Sequence, residues 1–579
     1  MKLAVDFETY YGNGYTLSSM STEAYVRDPR FKAHGAAVSI DDGRSRWITG
    51  AALWRFFRSL DASKCVWLSH HAQFDGLIAE HRYGFHPAAY LCTMQMARGL
   101  GLPGSLARLS KALGTGTKGS ALALSKGVRD LPEWVESQIA DYACLDNDLC
   151  KRNFAIMAPR LPAREFALIS NLTKMFTRPL MLINPTGLAA RVAQIEATRL
   201  QLQQEAGLSR DQLMSNLQLT QFFLNEGVTP PKSMAKNNPA FLELLEHPND
   251  RVALAVAARI GVKGTMESTR AQKLIDMGSR GAACVYINYG GAGTTRLSGG
   301  DGMNFQNLKR GSVLRTCLTA PGGMELCISD SRQVEARTLD WLAGQNDAVE
   351  AWRTGVDQYK KLAAELYPAV EIDKNLRNVG KVLKLGMGYG MGTDTLHTNL
   401  AGGMMGNPPL HISEAEADRY KNVYRNLHPK VVQLWRRADD WIEFMAEGRD
   451  MDWKMLQIRA GRIELPNGLT LRFPNLALDA DGWTYTNQHG ATAKLYGSKL
   501  IQNVIEGLTR DIVMRQLNTI ARECPVVSTT HDEVVGLIAE DRAPEFTAWM
   551  EEVMRSDIPD WATGAPIDAE ANHSPRYDK

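Results

Sequence analysis

Two short apolar runs, 326–329 and 526–528, read as the clearest strands in the C-terminal part of this 579-residue chain, and about two hundred residues lie between them. The intervening residues read mostly as helix, so a sheet that unites the two strands is closed by a long excursion. The first run ends on Asp330 and passes into Ser331-Arg332-Gln333-Val334-Glu335-Ala336-Arg337, where the apolar period changes from two to helical. The second run belongs to a hairpin, because 526–530 and 534–538 flank His531-Asp532-Glu533 and place an acidic pair at the turn. Acid-rich turns are common, so this pair carries chemistry only if folding brings it to Asp330.

The N-terminal part has a different grammar. Strand-like pieces at 3–9, 36–40 and 65–69 alternate with helix-like pieces at 53–60 and 131–149, which reads as an α/β unit closing near Pro162. Helical spacing from 165 to 204, interrupted at Pro179 and Pro185, opens a second and larger unit rather than a flexible linker. The length itself allows about four domains, or two large ones with subdivisions, at roughly 150 residues each. A net charge of +2 neither demands nor forbids a polyanionic partner, so only local clustering of cations can argue for one. The eight cysteines form no C-x-x-C pair, which points away from zinc and disulfides, and no run approaches the ~18 apolar residues of a membrane span. The expectation is a soluble cytoplasmic protein.

In Val5-Asp6-Phe7-Glu8, the period of two sends Asp6 and Glu8 to one face of a strand and Val5 and Phe7 to the other. Asp75 follows the run 68–74 at a strand-to-helix transition, and Tyr142 and Asp146 fall four apart on one helix face. Taken singly, these are an ordinary polar strand face, an N-cap and a solvated acid. Taken together and in this order, the D-x-E strand, the A-x-F-D element and the Y-x-x-x-D helix resemble the DnaQ-like 3′-5′ exonucleases of α/β ribonuclease H-like fold. That resemblance implies that Asp6, Glu8, Asp75 and Asp146 hold two divalent metals about 3.5 to 4 Å apart, with Tyr142 placed to orient a water. His71 stands where that family usually has Asn, which bears on contacts to the substrate strand. Gly114-Thr115-Gly116-Thr117-Lys118-Gly119 formally matches G-x-G-x-x-G, but the residues before it read as helix, so it is taken as a Gly-rich loop.

Between the two C-terminal acid sites, Arg377, Lys381, Leu385 and Tyr389 are spaced by four. From 374 to 393 there are four cations and no acid, and Gly386, Gly388 and Gly390 permit close approach, which fits an anionic ligand such as a triphosphate. With Asp330 and His531-Asp532-Glu533, this R-x-x-x-K-x-x-x-hydrophobic-G-x-x-Y-G pattern resembles family A DNA polymerases. Thr294-Thr295-Arg296-Leu297-Ser298 and Asn304-Phe305-Gln306-Asn307-Leu308 look like that family's elements near the primer, and the resemblance covers nearly the whole chain.

The resemblance implies an exonuclease domain at 1–163 and an α+β right-hand polymerase domain at 164–579, with the thumb about 185–290, the fingers about 346–484, and the palm about 291–345 and 485–579. It further implies that Asp330 and Asp532 bind two Mg²⁺ ions, with Mn²⁺ as a substitute, and that Glu533 is an auxiliary carboxylate. Arg377 and Lys381 would hold the phosphates of a dNTP, Lys381 assisting the leaving pyrophosphate, while Tyr389 packs beside the nascent pair and Glu335 excludes a ribose 2′-hydroxyl. Arg296, Asn304, Gln306, Arg315 and His531 would contact primer-template DNA. Three positions depart from the family's pattern. Ser331-Arg332 replaces Tyr-Ser, Leu385 replaces an aromatic, and Glu506 places a negative charge where a template-contacting Gln is usual. These departures bear on nucleotide selection, including that of a modified base. With its first acids at residue 6, the expected architecture is that of compact bacteriophage replicative enzymes, with no preceding 5′-nuclease domain and with replication accessory proteins left open. A nuclease whose C-terminal unit only grips DNA, and a scaffold with decayed sites, are the competing readings.

Overall fold

In the computed structural model, which describes residues 1–236, 238–403 and 409–578, strand β1 (Lys2–Thr9) lies at the centre of a mixed sheet. Its partners are β2 (Ala33–Ile40), β3 (Arg46–Ile48), β4 (Val66–Ser69) and β5 (Ala89–Cys92), in the order β3-β2-β1-β4-β5. β1 runs antiparallel to β2 and parallel to β4. The alternation read from the sequence holds: Leu3, Val5 and Phe7 enter the main core, whereas Ala4 packs in a small cluster with Leu68 and Cys150 on the other face. That second face is covered by α3 (Glu133–Met157). Helices α1 (Ala72–Tyr83) and α2 (Leu106–Leu113) precede α3; Gly84 and Gly114, both at positive φ, end them as left-handed caps.

Helix α4 (Ala163–Thr177) packs against β5 on one side and the C-terminal half on the other. Beyond it, α5 (Pro185–Ala206) starts at Pro185, with the Asn184 side chain accepting from the Gly187 amide at 3.1 Å. Helices α6 (Asp250–Lys263) and α7 (Met266–Arg280) lie along α5, and residues 206–262 have a core of their own around Phe223, Phe241 and Val256.

The C-terminal sheet joins β6 (Met324–Ser331), β7 (Val526–Thr530), β8 (Glu533–Ala539) and β9 (Ala569–Ser574) in the order β7-β8-β6-β9. The two strands read from the sequence therefore share a sheet, but β6 pairs with the second arm of the hairpin, not the first. From β6 the chain runs through α8 (Val334–Ala343), α9 (Gln358–Leu366), α10 (Lys374–Met387) and α11 (Pro429–Glu447), then returns along α12 (Gly497–Ile520). The excursion is less helical than expected, because 451–494 carries seven short strands in two antiparallel sheets. These strands are three to five residues long, too short for their alternation to register against the flanking helices. A single apolar core runs from β1 and Trp67 through α4 to Ile328, Val535 and Leu517, continuous across residue 163.

Candidate active sites

On β1, Asp6 and Glu8 share the face toward α3, and Asp146 on α3 is 2% exposed. Asp75, in the first turn of α1, accepts from the Phe7 amide at 3.2 Å, which fixes it against the same strand. Burial pushes all four carboxyls up, Glu8 to about 8 and Asp75 to about 7, and mutual repulsion adds to this at Asp6 and Glu8. The fold thus brings together the four acids read from the sequence. Tyr142, one turn before Asp146, also faces the cluster.

Sequence reasoning missed one member. Lys118, from the Gly-rich loop set aside above, reaches Asp146 Oδ2 at 2.5 Å and lies 5.0 Å over the Tyr142 ring. A lone cation in a loop between two acid motifs was the available signal. His71 is turned to the Tyr286 hydroxyl at 2.9 Å. Among the described residues no group of three or more acidic, His or Cys side chains is arranged so as to hold a metal ion. The donor set nevertheless fits a hard divalent cation, being all carboxylate and crowded enough that burial and mutual repulsion raise its proton affinity, a strain that a cation would relieve, and the buried Asp146 Oδ1 has no hydrogen-bond partner.

At the second site, β6–β8 pairing sets Asp330 opposite Glu533, and the Ser331 amide donates to the Asp532 carbonyl at 2.9 Å. His531, at φ 52°, makes the tight turn that delivers Asp532 to the strand end. Burial, followed by the charge of Asp330, pushes Asp532 up to about 7. Asp330 and Asp532 are thus neighbours despite their separation in sequence, a pair suited to Mg²⁺, which binds through one or two carboxylates and completes its shell from substrate. Arg296, Gln306, Glu335, His531 and Asp532 line one cavity of about 290 Å³. Asn304 helps to shape it by capping the turn that carries Gln306, accepting from the Gln306 amide at 2.9 Å.

The arginine in that cavity is held from two sides. Arg296 pairs with Glu335, which also accepts from the Tyr389 hydroxyl at 3.3 Å, and its other arm lies 3.7 Å from Glu506. Gln502 donates to Glu506 at 2.9 Å. The negative charge at Glu506 is therefore matched from within the protein, by the side chain expected to contact the primer.

Three readings need correction. Arg315 is not available to phosphate: it is 4% exposed, pairs with Glu533 at 2.5 Å and lies 3.9 Å over the Tyr577 ring. Glu533 is 3% exposed and also accepts from the Tyr577 hydroxyl, so both its oxygens are engaged in the interior, away from an auxiliary metal role. The basic helix α10 is partly neutralised, since Arg377 pairs with Asp357 at 2.6 Å and Lys384 is buried against Asp340 at 2.8 Å. Lys381 makes no ion pair among the described residues, and Leu385, one turn on, is half-buried.

Residues 186–451 match the family model described as DNA polymerase family A. A DNA polymerase of Bacillus phage SP02 is 25% identical over 100% of this chain and 99% of its own length. The thermostable DNA polymerase I of Thermus filiformis is 27% identical over 47% of this chain and 30% of that protein. The structure described as the POL domain of Pol1 from M. smegmatis in complex with DNA primer-template and dNTP superposes with a TM-score of 0.71, at 17% identity, over 100% of this chain and 96% of that one. The matched segment runs from α5 to α11 and on to Met451 and includes Asp330 at the end of the C-terminal sheet, so this part of the chain is similar to a DNA polymerase family A domain.

Proposed function

We propose that this protein is a template-directed DNA polymerase that extends a primer with dNTPs and edits the primer end with a 3′-5′ exonuclease in its N-terminal unit. The observation that carries the reading is the meeting of Asp330 and Asp532 beside a cavity that also contains Arg296, Gln306 and Glu335. In this reaction the primer 3′ oxygen bonds to the α-phosphorus, the bond from that phosphorus to the bridging oxygen breaks, pyrophosphate leaves and the hydroxyl proton passes to water. Asp330 and Asp532 would hold Mg²⁺, which would supply charge neutralisation and lower the pKa of that hydroxyl. Lys381 steadies the departing pyrophosphate, and Glu335, fixed by Arg296 and Tyr389, stands against a 2′-hydroxyl.

The crowded acids Asp6, Glu8, Asp75 and Asp146, on a sheet of order β3-β2-β1-β4-β5, support the ribonuclease H-like exonuclease reading, with Tyr142 orienting the attacking water. Similarity to a phage polymerase along the whole chain supports a role in phage genome replication. Primer extension with Mg²⁺ and dNTPs tests the main reading. Asp330→Ala is expected to lower synthesis by about 10²–10³-fold, the scale of removing a group that stabilises charge in the transition state, and extension at the wild-type rate would refute the assignment. Asp6→Ala is expected to abolish 3′-end degradation and spare synthesis; equal loss of both in a folded variant would contradict two separate sites.

A further inference from the structure

Next to the paired aspartates lies a second, smaller cavity that the assigned residues only partly explain. It measures about 140 Å³ and is lined by Arg332, Arg337 and Arg377, with Tyr359, Asp357 and Asp568 between them. This is well below the roughly 300–1,000 Å³ that encloses a whole drug-sized ligand, so it has room for phosphoryl groups but not for a nucleoside. Three guanidiniums face two carboxylates in its wall. Arg337 is 6% exposed and anchored by the Pro566 carbonyl at 2.9 Å and by Asp568 at 3.1 Å. Its buried Nε has no hydrogen-bond partner. A buried donor left unsatisfied is costly, and an anionic oxygen in the cavity would satisfy it.

Arg332 is two residues past Asp330, and its amide donates to the Asp568 carbonyl at 2.8 Å, which fixes its backbone at the strand end. Its side chain is 46% exposed and rests on Asp568 at 3.5 Å and Glu570 at 3.2 Å. The exposed guanidinium can exchange these loose carboxylate contacts for a bidentate grip on phosphate. Arg377 closes the cavity from α10 while Asp357 holds it at 2.6 Å.

We propose that Arg332 and Arg337 form a polyphosphate seat on the palm sheet, which receives the terminal phosphates of the incoming nucleoside triphosphate and retains pyrophosphate until release. The seat rests on the polymerase reading and adds to it a hold on the leaving group that does not depend on the α10 lysine. Arg332 is then a positioning residue for the substrate tail, present where the family's pattern has a serine.

The test is calorimetric binding of inorganic tripolyphosphate and pyrophosphate to the full chain with Mg²⁺, alongside steady-state dNTP incorporation, for wild type, Arg332→Ser and Lys381→Ala. Arg332→Ser is expected to weaken tripolyphosphate binding by about tenfold or more, the loss of one charge-assisted hydrogen bond. It should also raise KM for dNTP with kcat much less affected, and weaken product inhibition by pyrophosphate. Lys381→Ala should lower kcat and retain most of the tripolyphosphate affinity. Arg337→Lys, which keeps the charge but not the fork, should weaken binding in the same direction as Arg332→Ser. Wild-type anion affinity and KM in Arg332→Ser would overturn the seat. A wild-type protein that binds tripolyphosphate through Arg332 but incorporates no dNTP would instead overturn the polymerase reading.

Discussion

Asp532, Glu8 and Asp75 each hold a proton more tightly in the folded chain than carboxyls ordinarily do, and burial is the largest cause in all three. The sign of the resulting pH dependence follows from the direction of those shifts. Below about pH 4 both folded and unfolded chains are protonated and the contribution to stability is complete. As pH rises, the unfolded chain releases these protons near 3.8 to 4.5, whereas the folded one keeps them until about 7 to 8. Stability of the metal-free protein is therefore lost progressively between those limits. Mg²⁺, which binds the deprotonated forms, is expected to raise the melting temperature little at pH 5 and substantially at pH 8. Thermal melts across pH with and without Mg²⁺ check this, and a Mg²⁺ gain independent of pH would contradict it. At this scale the face shared by Asp6 and Glu8 was legible because a period of two is local. The Arg315–Glu533 pair was not, since its members are 218 positions apart and nothing in either neighbourhood announces the other.

Helix α10 shows why spacing alone overcounts available charge. Its apolar inner residues Val379, Val382 and Leu383 were bound to face a core, but the sequence did not say that Lys384 would follow them inward. There it donates to both oxygens of Asp340, at 2.8 and 3.1 Å, and lies 2.8 Å from His428 Nε2; Trp352 adds a hydrogen bond to the same carboxylate at 2.7 Å. This cluster pins α10 to α8, the helix that follows β6 and carries Glu335. Lys384→Met leaves Asp340 buried without its counter-ion and is expected to cost about 3–5 kcal/mol, whereas replacing both partners with well-packed apolar residues should recover much of it. Urea denaturation of the single and double variants measures the difference. The small strands within 451–494 escaped the sequence reading for another reason. Asn467-Gly468 and Asp481-Gly482 are good hairpin signals, but the runs beside them are too short to show alternation.

Across the molecule, the two halves are joined by more than chain connectivity. Glu165 of α4 pairs with Arg510 of α12 through both guanidinium arms, at 2.8 and 2.7 Å, and accepts from the Tyr289 hydroxyl at 2.7 Å. All three side chains lie within the apolar mass that continues from the first sheet to the second. Glu165→Ala is expected to destabilise the chain by about 3–5 kcal/mol, because Arg510 is left buried and uncompensated. Calorimetry should show the two halves unfolding in one shifted transition; separate melting of the N-terminal unit would refute the coupling. The division near residue 163 was readable as a change in pattern along the chain, but shared packing across it leaves no sequence signature, since apolar residues look alike whichever neighbour they meet.

A floor fused in this way leaves little freedom for one pocket to swing toward the other. Editing, on the proposed function, then falls to the nucleic acid: the growing end has to fray and make the crossing itself, so the ease with which its last base pairs come apart becomes the clock that decides between adding and removing.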